Sequence, residues 1–314
     1  MSRAVPQVPA ARPTLLRRML PVIVPVSKTL VEIVGHVPRP VGHAIAAAVS
    51  IPVRRLTRDR CRSNLEAFFA PQGWSVAERE DLFRAHQRYM VRLRLEAARI
   101  LAGPAEEVER VTRLEGEEHL RAAIGAGRGA LLVGVHEATW WHAPTLLACR
   151  GYDVRTVFNS FPLKSIDDYL VRRARRRGLR LSLVDQGAAD QFRLCSRDNA
   201  VFYLTYDLAA RPESAGLFPF GPTLLPIERG PAILALRLGM TVVPVECDHL
   251  EQGHSLVRLL PPIDPEALGG GRVDALCRHW AARLEARVRR RPEQWWPWGF
   301  ADLRRATDPP RRNS

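Results

Sequence analysis

The chain has 314 residues, 46% hydrophobic and 25% charged, with 47 Lys and Arg against 33 Asp and Glu and a formal net charge of +14. This is an ordinary globular composition, long enough to bury a sizeable core in one large domain or two modest ones. The surplus of positive charge needs an anionic partner or surface, and nucleic acid, phospholipid headgroups, acidic carrier proteins and phosphorylated thioester donors all have the right sign. The five cysteines, Cys61, Cys149, Cys195, Cys247 and Cys277, are widely spaced and form no C-x-x-C pair, so neither a disulfide framework nor a zinc site is indicated and a reducing compartment is expected.

In chain order, residues 15 to 53 are apolar-rich, but Arg18, Lys28, Glu32 and Arg39 interrupt them and Pro21, Pro25, Pro38 and Pro40 punctuate them. No run is long enough to cross a bilayer. The longest uncharged piece, PVGHAIAAAVSIPV, is followed by Arg54, Arg55, Arg58, Arg60 and Arg62. It reads either as an interfacial anchor or as a core helix beside a solvated charge run. Residues 1–56 are therefore set apart as an N-terminal helical, membrane-associating segment, with 57–305 as the main domain and 306–314 as a disordered tail. Ser75 followed by Glu78, with Leu82, Tyr89, Leu93 and Ile100 at helical spacing, predicts a capped helix to Leu101. A short helix over 117–127 precedes ALLVGV (130–135), a buried strand, and APTLLACRG, a helix stopped at Gly151. YDVRTVF, LRLSLV, NAVFYLTYD, MTVVPVE and HSLVRLLP read as further strands, with SIDDYLVRRARRRG and PAILALRLG as helices between them. The alternation predicts an α/β fold with a mostly parallel central sheet flanked by helices. Residues 273–291 form a basic amphipathic helix, followed by PEQWWPWGF.

His136 stands directly after ALLVGV, at the carboxyl end of a strand, where parallel α/β sheets place their chemistry. An imidazole there serves as a general base for an attacking hydroxyl or amine, or it simply caps the helix that follows. Trp140 and Trp141 read as acyl-chain contacts or as core. The stretch 172–177 carries five arginines in six positions, suited to phosphates or to solvation on an exposed face. Arg229 precedes Gly230 and Pro231 at a helix start, where an anion would also feel the helix dipole. PEQWWPWGF reads as an acyl groove, a headgroup-level belt or a tryptophan-rich plug.

Five blocks in order, RCRSNLEAFFA with SVAERE, EGEEHLRAAIGAGRGALLVGVHEATWW, YLTYDLAA with GLFPFGPTLLPIERGPAILALRLGMTVVPV, HSLVRLLPPI and RRRPEQWWPWGF, resemble the lysophospholipid acyltransferase superfamily. The likeness is to its lipid A lauroyl/myristoyl acyltransferase branch and the related phosphatidylinositol mannoside acyltransferases, over roughly residues 60 to 305. The resemblance implies a glycerol-3-phosphate acyltransferase-like fold and transfer of a fatty acyl group from an acyl carrier protein or coenzyme A thioester to a hydroxyl of a glycolipid. It implies no metal and no bound cofactor. His136 matches the family's base, with Glu137 beside it. The motif acid, five residues on, is replaced by Trp141, whose indole N–H can only donate. Asp207, Glu228 or a backbone carbonyl would have to hold the imidazole instead, and Glu137 only if His136 lies outside the helix. Arg176 corresponds to a family arginine, whereas Asn159 stands where many relatives carry arginine. Trp141, Asn159, Arg176, Asp207, Glu228 and Arg229 are the candidate substrate-binding residues. The readings are thus a peripheral acyltransferase on the cytoplasmic face of the inner or plasma membrane, docked on anionic lipid, or a lipid-binding relative that lost turnover with the acid. Nucleic-acid binding is disfavoured, because the basic stretches lack interleaved aromatics.

Overall fold

A computed structural model describes residues 28–305 except 139, 161–163, 210, 212–214, 251–252 and 270. The tail over 306–314 and the first part of the N-terminal segment lie outside the described residues. The chain enters through helix α1, residues 28–36, and α2 (Arg39–Phe69). The boundary drawn between residues 56 and 57 falls inside α2, which runs through it unbroken. Helix α3 (Val76–Ala102) begins at the expected capping box: Ser75 accepts from the Glu78 amide and the Glu78 carboxylate accepts from the Ser75 amide. Such a reciprocal cap is worth about 1 kcal/mol. No helix among the described residues is long and apolar enough to cross a membrane.

Seven strands among the described residues form the central sheet in the order β1 (Thr112–Glu115), β9 (Ser255–Leu259), β8 (Thr241–His249), β2 (Ala130–Gly134), β5 (Val201–Thr205), β3 (Val154–Phe158), β4 (Arg180–Leu183). From β8 through β4 every neighbour is parallel, while β8 pairs antiparallel with β9. The fold is thus α/β with a mostly parallel sheet. β2 lies at its centre, all five residues buried, which is why ALLVG is apolar without alternation. Helices α4 (Ala105–Val111), α5 (Glu117–Gly125), α6 (His142–Cys149), α7 (Lys164–Arg175), α8 (Ala188–Arg197), α9 (Gly230–Leu238) and α10 (Arg272–Arg290) flank it. A separate antiparallel hairpin, β6 (Gly216–Phe220) and β7 (Thr223–Ile227), presents Phe218, Phe220, Leu225 and Ile227 to the main core.

That core gathers Phe68 and Phe69 of α2, Leu131 and Val133 of β2, Phe202 of β5, Trp280 and Leu284 of α10, and Trp295 and Trp298. Trp295 and Trp298 are 1% and 0% exposed, so PEQWWPWGF is largely a plug. Asn64 ties it down, its amide donating to the carbonyls of Trp298 at 2.9 Å and Ala301 at 3.0 Å. The five cysteines are free, and burial pushes the Cys61, Cys195 and Cys277 thiols up to about 12.

Candidate active site

β2 and β5 are adjacent and parallel, with Gly134 level with Thr205. Two residues further along each chain come His136 and Asp207, which therefore meet beyond the carboxyl edge of the sheet. The His136 ring donates from Nδ1 to Asp207 Oδ1 at 2.7 Å, and its backbone amide donates to Asp207 Oδ2 at 2.9 Å. Asp207 is 1% exposed and also accepts from Trp295 Nε1 at 2.8 Å. A carboxylate can only accept, so three donors fix it and the proton sits on Nδ1. Nε2 is thereby left as the basic nitrogen; Thr205 Oγ1 lies 3.1 Å from it and donates to it. Thr205 shares Asp207's side of β5 because strand side chains alternate with period two.

The loop carrying His136 is held from three sides. Residues 295 and 296 run antiparallel to it: Glu137 and Trp295 form a bridge, and the Trp296 amide donates to the His136 carbonyl at 2.9 Å. Tyr203 donates its hydroxyl to the Trp140 carbonyl at 3.2 Å, passing over Gly134, where a Cβ would come within 2.8 Å of that hydroxyl. Ala138 sits at φ 44°, a left-handed conformation that costs an L-residue roughly 1–2 kcal/mol. The turn is strained where it aims the imidazole. The ring lies between two indoles, 5.1 Å from Trp140 and 5.0 Å from Trp296, both half-buried. Its side chain keeps 16% exposure.

Glu137 does not reach the imidazole. Its carboxylate turns to the opposite side and accepts from Arg287 Nε at 2.9 Å. Arg287 of α10 also donates to Glu246 at 3.0 Å, Asp248 at 2.7 Å and the Cys247 carbonyl at 2.8 Å. Burial pushes the Glu137 carboxyl up to about 7 against the pull of Arg287. For Arg287, burial acts the other way, but Glu137 and Asp248 hold the guanidinium above its ordinary value. The structure places Glu137, expected beside the base, away from the imidazole, where it anchors the loop to α10 and β8. The other candidates disperse. Trp141 precedes α6 and packs, half-buried, on Leu146 and the core around Leu147. Asn159 is exposed in the loop after β3. Glu228 accepts from the Arg211 amide at 2.9 Å and is not within bonding reach of His136. Arg229 is engaged with Asp274 of α10 at 2.6 Å and lies over Phe218, so its charge is already partnered at the α9 start. Arg176 follows α7 at the amino end of the strands, the opposite end from His136.

Trp295 and Trp296 lie in PEQWWPWGF, which reads from sequence as an acyl groove, a headgroup-level belt or a plug. Thr205 and Arg287 had no such pointer.

Residues 19–298 match the family described as bacterial lipid A biosynthesis acyltransferase. The chain is similar to a phosphatidylinositol mannoside acyltransferase of Mycobacterium tuberculosis, 27% identical over 206 residues, covering 63% of each chain. A protein of the same description from Mycolicibacterium smegmatis is 26% identical over 237 residues, 72% of this chain and 76% of that one. The chain thus spans somewhat less than two thirds of the length of the M. tuberculosis relative.

Proposed function

For a chain that belongs to the bacterial lipid A biosynthesis acyltransferase family, we propose transfer of a fatty acyl group from an acyl carrier protein or coenzyme A thioester to a hydroxyl or amine of a glycolipid or lipid-like acceptor. The observation that carries this reading is the His136–Asp207 pair, with the imidazole lying between the indoles of Trp140 and Trp296. In the reaction the Thr205 hydroxyl turns off Nε2, which takes the acceptor's proton as its oxygen attacks the thioester carbonyl. The C–O bond forms, the C–S bond breaks, and the imidazolium returns its proton to the departing sulfur. Asp207 holds the tautomer and stabilises the imidazolium between the two steps, as the carboxylate of a hydrolase triad does. The reading of a relative without turnover drew on the missing acid at Trp141, and a carboxylate 2.7 Å from Nδ1 argues against it.

The relatives are described as phosphatidylinositol mannoside acyltransferases. We extend to this chain only the class, a glycolipid with a free hydroxyl. We also propose a peripheral position on the cytoplasmic face of the inner or plasma membrane, supported by Ile33, Val41, Val49, Ile51 and Leu56 of α1 and α2, which expose 41%, 49%, 40%, 47% and 74% of their surface. The test is thiol release from a panel of acyl carrier protein and coenzyme A thioesters in the presence of candidate acceptors. Acceptor-dependent release by the wild type that His136→Ala abolishes is expected. Equal background release from both proteins would remove the enzymatic reading.

A further inference from the structure

Away from His136, α1 and α7 enclose a cavity of about 240 Å³ lined by Glu32, Tyr169, Arg172, Arg173 and Arg176. Its volume lies just below the roughly 300–1,000 Å³ of small-molecule clefts, the scale of a headgroup and not of a whole lipid. Glu32 is already engaged: it accepts from the Tyr169 hydroxyl at 2.8 Å and is paired with Arg173. Three guanidiniums therefore face one carboxylate. Among the described residues, Arg172 and Arg176 enter no ion pair. Burial, and then the like charge of Arg176, lower the Arg173 pKa. A cavity that holds cations together and supplies a single acid is built to receive an anion, and the guanidinium fork matches phosphate oxygens in pairs.

Topology separates this cavity from the proposed chemistry. α7 starts after β3 at the carboxyl end of the sheet and delivers the chain to Arg180, level with Arg155 near the start of β3. Arg172 and Arg176 thus lie near the amino ends of the strands, and a five-residue strand is roughly 17 Å long. The cavity's other wall, α1, exposes Ile33 next to Glu32, and α2 continues with exposed Val41, Val49, Ile51 and Leu56. A cationic cavity of phosphate size whose wall continues into helices with exposed apolar residues suits a bilayer interface, where charged headgroups adjoin acyl chains.

We infer that Arg172, Arg173 and Arg176 form a headgroup site that grips the phosphate of an anionic phospholipid and docks the protein on the membrane. This deepens the membrane part of the proposed function and is independent of His136. The experiment uses the full chain and vesicles of phosphatidylcholine alone or with phosphatidic acid. The wild type, Arg172→Gln/Arg176→Gln, and a charge-matched Arg121→Gln/Arg193→Gln control are compared by sedimentation. The wild type is expected to bind the anionic vesicles. The Arg172/Arg176 variant should need at least tenfold more lipid for half-binding, and the control less than threefold more. His136→Ala should bind as the wild type does, so loss of chemistry and loss of docking read out separately. If both double variants weaken equally, the effect is net charge and the site is refuted. If the wild type ignores the vesicles, or if only affinity for free coenzyme A changes in Arg172→Gln/Arg176→Gln, the lipid assignment is overturned.

Discussion

Replacing Asp207 by Asn keeps the shape of the site and changes one donor pattern, so it isolates what the carboxylate contributes. Oδ2 receives two N–H donors, the His136 amide at 2.9 Å and Trp295 Nε1 at 2.8 Å. In Asp207→Asn that side must be the amide oxygen, because an NH₂ there would face two donors. The NH₂ is then turned toward Nδ1, where the wild type has Oδ1 at 2.7 Å. Nδ1 must become the acceptor, which moves the ring proton to Nε2 and removes the lone pair that the acceptor hydroxyl needs. In a serine protease the same exchange lowers kcat by about 10⁴, and at ~1.36 kcal/mol per tenfold this is roughly 5 kcal/mol of transition-state stabilisation. The fold should notice much less, since the two bonds to Oδ2 survive and one neutral pair replaces a charged one, a loss of ~1–2 kcal/mol. The assay is single-turnover acyl transfer alongside urea unfolding of the same preparations. Asp207→Asn that retains kcat within about tenfold of wild type while folding normally would refute the orienting role.

Three other outcomes follow from the same geometry. Arg287→Met leaves Glu137, Glu246 and Asp248 without their shared cation, and breaking a buried pair of this kind costs ~3–5 kcal/mol, so the urea midpoint should fall sharply; an unchanged midpoint would show that the cluster does not hold the loop. Burial lowers the pKa of His86 to about 4 and those of His142 and His249 to about 3, against an ordinary 6.5. The unfolded chain therefore binds protons first, and stability should fall as pH drops from 6.5 toward 4, by up to ~1.4 kcal/mol per pH unit for each histidine. Glu137, raised to about 7, acts with the opposite sign between 7 and 4.5 and offsets one of the three. Urea midpoints that are equal or higher at pH 5.5 than at pH 7 would contradict this. Finally, a thiol reagent should label Cys149, the half-buried cysteine, well before Cys61, Cys195, Cys247 and Cys277, which are buried, and all five after denaturation. Equal rates in the folded protein would contradict the packing.

The parallel sheet was legible because buried parallel strands are near-continuous apolar runs, as in ALLVG and VFYLT, separated by helical periodicity. β1 was missed because TRLE has four residues, two of them charged, and pairs only at the sheet edge through β9. The β6–β7 hairpin was missed because each strand contains a proline and the pair lies outside the main sheet. α4 and α8 are short and mostly polar on their outer faces. At the site, His136 was readable from its place after a strand. Asp207 had been put forward as one of several groups to hold the ring, but its selection over Glu137 and Glu228 depends on strand register 71 residues away, which no local pattern encodes. The same register explains why Glu137, though adjacent in sequence, faces away: consecutive residues leaving β2 turn to opposite sides, one toward β5 and the other toward Arg287 on α10. Trp141 looked like the loss of an essential acid, yet a carboxylate from a neighbouring strand stands on the ring.

The most direct measurement is mass analysis of the acceptor after incubation with an acyl carrier protein or coenzyme A thioester, with free thiol counted in the same reaction. The account predicts one acylated acceptor formed per thiol released by the wild type, and neither from His136→Ala. Thiol release without an acylated acceptor, or an acylated acceptor formed equally well by His136→Ala, would contradict it.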